Sequence, residues 1–503
     1  MIHQYPLLIL VRKHIALILI LTFAAFLLSS NINKPFIGHH DWNGAWYSNQ
    51  ARNFIKYGYL KTKFGAVMNN DIVSAQDFRF FTHYPPLLPI FISLSFKIFG
   101  ISESAARVIP LIFTLGTILL MYIISLKFFN RRIAILSSLL TTIFPITIYF
   151  GKMPVQEVIV IAPILLSVLR YFIFFEKPSR KNLLILFLSL TFSHLINWPG
   201  YYVTPLFFIH FLIFSKTSHK FTQATSFILF SVLMFFFHLS HTFLLTGELF
   251  GGGILDVALY RLNLKESLVD FTLQNFLTLQ ARWLAVYFTT SALFFSLVTV
   301  IWIFLKIKSK AISKKIQLLI LLGVFGFTHN AVFRNMAFIH DYMIIYLLPF
   351  VAISSSFGFF LLIDKLKIYS AKPILMLASL FLILVTVERH KFTLALLSSA
   401  RASDIYVLSN YIKNNTESGE KTLILSNIIK EHFEVFVYFY TDRQIDFETP
   451  QSNVELSKIL SLYKYKLIVA DPARDTHPSV VNYLKENRTE TSVDKFLIYK
   501  NVQ

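Results

Sequence analysis

Apolar stretches long enough to cross a bilayer recur along this chain from residue 14 to about residue 387, and no water-soluble fold buries so many. A helix needs about twenty apolar residues to cross the hydrocarbon core. Roughly eleven such runs are read, at about 14–31, 105–127, 133–150, 157–175, 182–197, 201–215, 221–245, 283–305, 316–333, 341–362 and 373–388. Of the 503 residues, 55% are hydrophobic and 15% charged, and mean hydropathy is +0.60. That excess has to face lipid. The expected class is a polytopic α-helical membrane protein, followed by a small extracytoplasmic α/β domain.

A net charge of +20 in a soluble protein would suggest nucleic acid. Here the cations fall in short gaps between apolar runs, so they report topology and no nucleic-acid partner is expected. One set of gaps holds Arg12, Lys13, Lys127, Arg131, Arg132, Lys177, Arg180, Lys181, Lys216 and Lys220, and continues from Lys306 to Lys372. The short gaps opposite hold few, among them Lys152, Arg261, Lys265 and Arg334. The positive-inside rule then puts the N-terminus in the cytoplasm, and an odd helix number puts the C-terminus outside a plasma (inner) membrane. No small-residue cleavage pattern follows the first run, which is read as a retained helix. The chain has no cysteine, so disulfides and thiolate metal sites are excluded.

Two external loops exceed simple turns. The first, about 32–104, holds Asp41 and the THYPPLLPIFISLSFKIFG segment, whose prolines and Lys97 suit an interfacial helix better than a span. The second, about 246–282, opens with Gly247 and the Gly251–Gly253 triplet and is expected to be mobile. The organisation is thus a transmembrane domain over 1–388, with its chemistry on loop 32–104, and an α/β domain over 389–503. In that domain TLILSN, VFVYFYT, YKLIVAD and KFLIYKN read as strands and SNVELSKILSLY as a helix. No Gly-rich phosphate loop follows these strands.

Asp41, between the interfacial aromatics Trp42, Trp46 and Tyr47, is either a solvated loop carboxylate or a proton acceptor or metal ligand at headgroup depth. Glu157 opens an otherwise apolar helix on the same side, where it either reaches for water or serves function. His83 and Tyr84 precede a double proline, and His83 is a loop histidine or a metal ligand with Asp41. His340, Asp341 and Tyr342, with Arg334, form the densest late polar cluster on the outer side. Arg52, Lys63, Arg79 and Arg107 are external cations suited either to a leaving phosphate or to anionic headgroups. Trp198 is an interfacial anchor or a face for a sugar ring.

These pieces, in their order, resemble the GT-C integral-membrane glycosyltransferases, in particular the family 39-like group of protein mannosyltransferases and aminoarabinose transferases. The likeness spans roughly residues 10–360. DWNGAWYSNQARNFIKYG is similar to that group's first-loop acidic motif, with Asp41 in the acidic place and Trp42 where a second acid often stands. HYPPLLPIF, IFG and AARVIP resemble its proline segment and the following helix start, with His83 and Tyr84 where a Glu-Lys pair can stand. Glu157 matches an acid that opens the fourth helix, and IHDY with YLLP matches a late helix start.

The resemblance implies transfer of a sugar from a polyprenyl-phosphate donor to an acceptor hydroxyl of a glycan, lipid or protein on the outer face. A phosphate leaves readily, whereas the acceptor hydroxyl needs a base beside it. Asp41 is the expected base and Glu157 positions acceptor or cation. Direct displacement inverts the anomeric centre, and the phosphate rests on Arg107 or Lys63. Asp41 and Glu157 are expected to converge in one cavity. A divalent metal is compatible with this chemistry, and no other cofactor is expected. Two other classes compete: a transporter or flippase of lipid-linked sugars, and a non-catalytic scaffold of surface-polymer assembly. Polar residues gathered at outer helix ends count against transport.

Overall fold

In a computed structural model of the chain, the described residues are 5–70, 74–265 and 271–500, with side chains from residue 14 onward. The side chains of Arg12 and Lys13, and the parts of the two external loops at 71–73 and 266–270, lie outside that set. The chain divides into two compact units. One comprises Met1–Ile32, Thr82–Leu88 and Arg107–Leu397; the other comprises Asn33–Phe81, Pro89–Ala106 and Ser398–Gln503.

The first unit is helical. Among the described residues, seven helices are long and apolar enough to cross a membrane: Glu103–Phe128, Gln156–Glu176, Lys220–Thr246, Thr290–Lys308, Lys314–Val332, Asp341–Lys365 and Ala371–Glu388. His14–Ser29, Leu87–Phe99 and Pro199–Phe214 are apolar but shorter. Other expected runs are helical but interrupted. The 133–150 run splits into Arg131–Ile143 and Pro145–Phe150. Pro145 has no N–H to donate and forces Phe144 into an extended conformation, with φ −60° and ψ 137°. The 283–305 run is divided at Thr289, whose φ is +66°.

Side-chain size sets the tightest packing. In Leu348–Lys365 the Ser354–Ser356 run and Gly358 face Thr290–Lys308, with Ser296 and Ser354 hydroxyls 2.6 Å apart and Thr299 donating to Ser354 O at 2.6 Å. A Cβ on Gly358 would meet Phe295 O at 2.0 Å, so only glycine lets these backbones approach. Polar groups inside the bundle are paired as well: Tyr171 Oη lies 2.5 Å from His210 Nδ1, and His210 Nε2 lies 3.1 Å from Gln317 Oε1. Polar residues are therefore not confined to helix ends.

The second unit holds a two-stranded ribbon, β1 (Ala66–Val67) against β2 (Phe80–Phe81), and a five-stranded sheet. That sheet contains β3 (Lys421–Leu425), β4 (Gln444–Phe447), β5 (Tyr465–Ala470), β6 (Thr489–Val493) and β7 (Phe496–Lys500), in the order β4-β3-β5-β7-β6. β4, β3 and β5 run parallel, β7 is antiparallel to β5, and β6 to β7. Leu423, Leu425, Ile468 and Tyr499 form the core with Leu456, Val480 and Leu484 from two helices.

TLILSN, YKLIVAD and KFLIYKN are strands and SNVELSKILSLY is a helix, Asn453–Leu462. VFVYFYT is not a strand; it lies in the helix Asn427–Thr441. Its aromatic and β-branched residues favour strand, but tertiary capping overrides that preference. Ser426 Oγ accepts from Ile429 N, and Asp475 accepts from Asn427 N at 2.6 Å and Ile428 N at 2.9 Å. A carboxylate at the positive helix end fixes the start.

The helix Trp42–Tyr57 packs on Asn427–Thr441 within this unit. Asn49 donates to Val435 O at 2.9 Å, and the buried Arg52 donates to Tyr438 O, Phe439 O and Asn49 Oδ1 and pairs with Asp442 at 3.2 Å. Phe36 N donates to Tyr440 Oη, which donates to Glu103 Oε1 at 2.9 Å.

Candidate active site

In the first unit, Thr82–Leu88, the glycine triplet and the NWPG segment form one hydrogen-bonded knot. Thr82 Oγ1 donates to Gly251 O and His83 Nε2 to Gly252 O, both at 2.8 Å; Trp198 Nε1 donates to His83 O at 2.8 Å. Burial, aided by the Arg261 charge, lowers the His83 pKa despite the Gly252 carbonyl. His83 is therefore neutral at neutral pH, with its proton on the nitrogen facing that carbonyl. The Gly251–Gly253 turn, expected to be mobile, is held at two points. It carries the helix Ile254–Arg261, which delivers Arg261 inward.

Around Arg261 lies a small chamber lined by Tyr84, Glu157, Asn197, His329 and Met336. It shares Trp198, Tyr202, Arg261 and Phe333 with an apolar cavity of about 280 Å³, whose other walls include Tyr201, Phe235 and Ile254. The Arg261 guanidinium stands 4.5 Å over the Tyr84 ring, and its Nε has no hydrogen-bond partner among the described residues. Glu157 is buried in the first turn of the helix Gln156–Ile159, and Tyr84 Oη lies 3.4 Å from its Oε1. Burial, reinforced by Glu157, raises the Tyr84 pKa well above its ordinary value against the pull of Arg261. Tyr84 thus remains a hydroxyl donor. A buried donor left unpaired costs about 1–3 kcal/mol, and Arg261, whose charge is felt by the Glu157 carboxyl in the same chamber, keeps its Nε for a further acceptor. The chamber, of about 20 Å³, has room for a single water-sized polar group, while the cavity of about 280 Å³ beside it, also lined by Arg261, can take an apolar chain with an anionic end.

Near this chamber sequentially, His340 stacks on Tyr342 at 5.1 Å, and Asp341 accepts from Tyr287 Oη. Arg107 donates to Ile32 O at 3.0 Å. In the second unit, Asp41 is buried and its Oδ2 accepts from Gly38 N at 2.8 Å, so the carboxylate turns back onto its own loop. Trp42 stacks on Trp46 at 5.0 Å, and Trp46 and Tyr47 pack edge-on to Phe81. Lys63 is exposed in a left-handed turn with φ of 51°.

Residues 83–243 match the family described as dolichyl-phosphate-mannose-protein mannosyltransferase. An uncharacterized protein of Aquifex aeolicus is 50% identical over 60 residues, so the match spans only 12% of this chain and 14% of that relative. Over 96% of this chain and 98% of the other, the structure is similar to ArnT of Cupriavidus metallidurans bound to undecaprenyl phosphate, at TM-score 0.67 and 12% identity. The Archaeoglobus fulgidus oligosaccharyltransferase in its apo form aligns at TM-score 0.57 and 13% identity, over 97% of this chain and 74% of that one.

The chain has the GT-C fold.

Within this GT-C fold, the sequence-derived residues Glu157, His83, Tyr84 and Trp198 meet at the first unit's two cavities. Asp41, Trp42, Tyr47, Arg52 and Lys63 belong to the second unit. Arg52 is engaged by helix-end carbonyls and Asp442 rather than by open solvent. His83 Nε2 donates to Gly252 O, and Asp41 Oδ2 accepts from Gly38 N. Arg261, Asn197, Tyr202 and His329 were not legible as site residues. Arg261 read as one more loop cation, although its stretch ILDVALYRL is apolar enough to carry it inward. His329 stood alone in an apolar run, a position where an ionisable residue is a functional candidate by default.

Proposed function

We propose that this protein is a membrane glycosyltransferase that moves a sugar from a polyprenyl-phosphate donor to an acceptor hydroxyl at the extracytoplasmic face, with inversion. The observation that carries this reading is the buried Arg261 guanidinium at the wall between a polar chamber and the apolar cavity of about 280 Å³. Phosphate suits the first feature and the leading isoprene units suit the second. The family match and the undecaprenyl phosphate held by the similar ArnT structure support the same donor class.

In the reaction, the acceptor oxygen attacks the anomeric carbon as the bond from that carbon to the phosphate oxygen breaks. Polyprenyl phosphate departs with the electron pair, and Arg261 balances the charge that develops on it. The acceptor proton goes to a carboxylate, which we assign to Asp41, while Glu157 orients the reactants. Glycan, lipid or protein can each supply the hydroxyl.

The test is transfer by purified protein in proteoliposomes, from labelled undecaprenyl-phosphate sugars to a cell-envelope extract. The parent is expected to release undecaprenyl phosphate and label an acceptor, and Asp41→Asn to lose at least about 100-fold in turnover at unchanged folding. Turnover by Asp41→Asn equal to the parent's would remove Asp41 from the mechanism. Labelled lipid crossing the bilayer intact, without transfer, would instead favour a flippase.

A further inference from the structure

We propose that His329 is the contact for a hydroxyl of the donor's sugar, making it a specificity-determining residue of the same pocket. The inference rests on reading that pocket as the donor site.

His329 is buried at 6% exposure in the last turn of Lys314–Val332, and neither Nδ1 nor Nε2 has a hydrogen-bond partner among the described residues. Its ring lies 4.0 Å from Tyr346, 5.3 Å from Phe333 and 5.6 Å from Tyr202. Aromatic packing therefore fixes the ring, and its polar edge is left for the chamber it shares with Glu157 and Arg261. One turn earlier, Gly326 makes this placement feasible, since a Cβ there would meet Tyr346 O at 2.8 Å and Leu347 Cδ2 at 2.6 Å. The helix can approach Asp341–Leu347 only because that position has no side chain, and the approach seats His329 on Tyr346.

The chemistry of the ring selects the ligand. A neutral imidazole offers one N–H and one lone pair. A phosphodiester oxygen only accepts and would satisfy the first alone. A hydroxyl both donates and accepts, and a sugar ring carries several. Arg261, an obligate donor, suits the phosphate; His329 suits the group that phosphate carries. A site built to bond a hydroxyl discriminates strongly against a ligand lacking it, because its own polar atoms are then left unpaired.

The experiment measures binding of bare undecaprenyl phosphate, and of its mannosyl, glucosyl and aminoarabinosyl forms, to the purified full-length protein in nanodiscs. The parent is expected to bind at least one sugar-bearing lipid more tightly than the bare lipid. His329→Phe is expected to weaken that lipid by about tenfold while leaving the bare lipid within about twofold, and His329→Gln, which keeps a donor and an acceptor, to restore most of the loss. Arg261→Ala is expected to weaken both lipids. His329→Leu replaces the Phe variant if the larger ring unfolds the protein. Equal weakening of both lipids by His329→Phe, no weakening of either, or no parental preference for a sugar-bearing lipid would overturn the role of His329 while leaving the donor site standing. A parent that binds none of these lipids removes the donor reading itself.

Discussion

Removing the Arg261 guanidinium leaves the chamber without its cation while sparing the apolar cavity beside it. Arg261→Ala is expected to raise the donor KM by about 10–100-fold, and Arg261→Lys to recover only part of that, because a point charge cannot reproduce the planar fork. Steady-state transfer at varied donor concentration measures both. Glu157→Gln keeps a hydrogen-bonding partner near Tyr84 but alters the group that orients the reactants, so kcat is expected to fall by roughly 10² with KM within a few-fold. A KM effect without a kcat effect would make Glu157 a donor-binding residue instead. Single residues were legible in the sequence where they broke a pattern: Glu157 in an apolar helix, Trp198 before a proline. Arg261 broke none, because only the glycine knot turns it inward. Arg52 misled in the opposite sense, since an arginine in a polar loop helix does not announce the carbonyls of a helix far along the chain.

At the scale of elements, the helix Asn427–Thr441 begins where Asp475 caps it. Asp475→Ala removes an acceptor of two backbone N–H groups and is expected to destabilise the second unit by about 1–2 kcal/mol. Hydrogen exchange of residues 427–431 is the direct measure, and unchanged protection there would contradict the capping argument. The same element explains the one misread strand. Period and composition in VFVYFYT describe a strand well, but the carboxylate that decides its conformation sits 34 positions beyond Thr441 (441 to 475). Apolar helices and strands flanked by polar loops were readable because burial alone determines them. The break at Thr289 was not, as it turns on one residue's backbone, whereas Pro145 in the sequence announces the one at Phe144.

For the whole molecule, the proposed orientation, drawn from the basic gaps, has the C-terminal region outside, so protease added to right-side-out vesicles is expected to cut after Glu388. Protection of that region would reverse the topology. Acid should act on the C-terminal region through Asp404, which pairs with Arg474 at 2.5 Å and Lys495 at 2.7 Å. Burial pushes its pKa up, but Lys495 and Arg474 together outweigh burial and hold it below the usual carboxylate value. A depressed folded pKa means stability that is complete above the unfolded value, near pH 4, and lost as pH falls through the folded one. The thermal midpoint of this region is expected to drop below about pH 4 in the parent, and Asp404→Asn to be destabilised already at pH 7 with a flatter acid limb. The measurement that bears most directly on the account is an experimental structure of the protein with undecaprenyl phosphate. The expected result is phosphate oxygens about 2.7–2.9 Å from the Arg261 guanidinium, with the first isoprene units against Trp198 and Phe235. Phosphate density away from Arg261, with the apolar cavity unfilled, would contradict it.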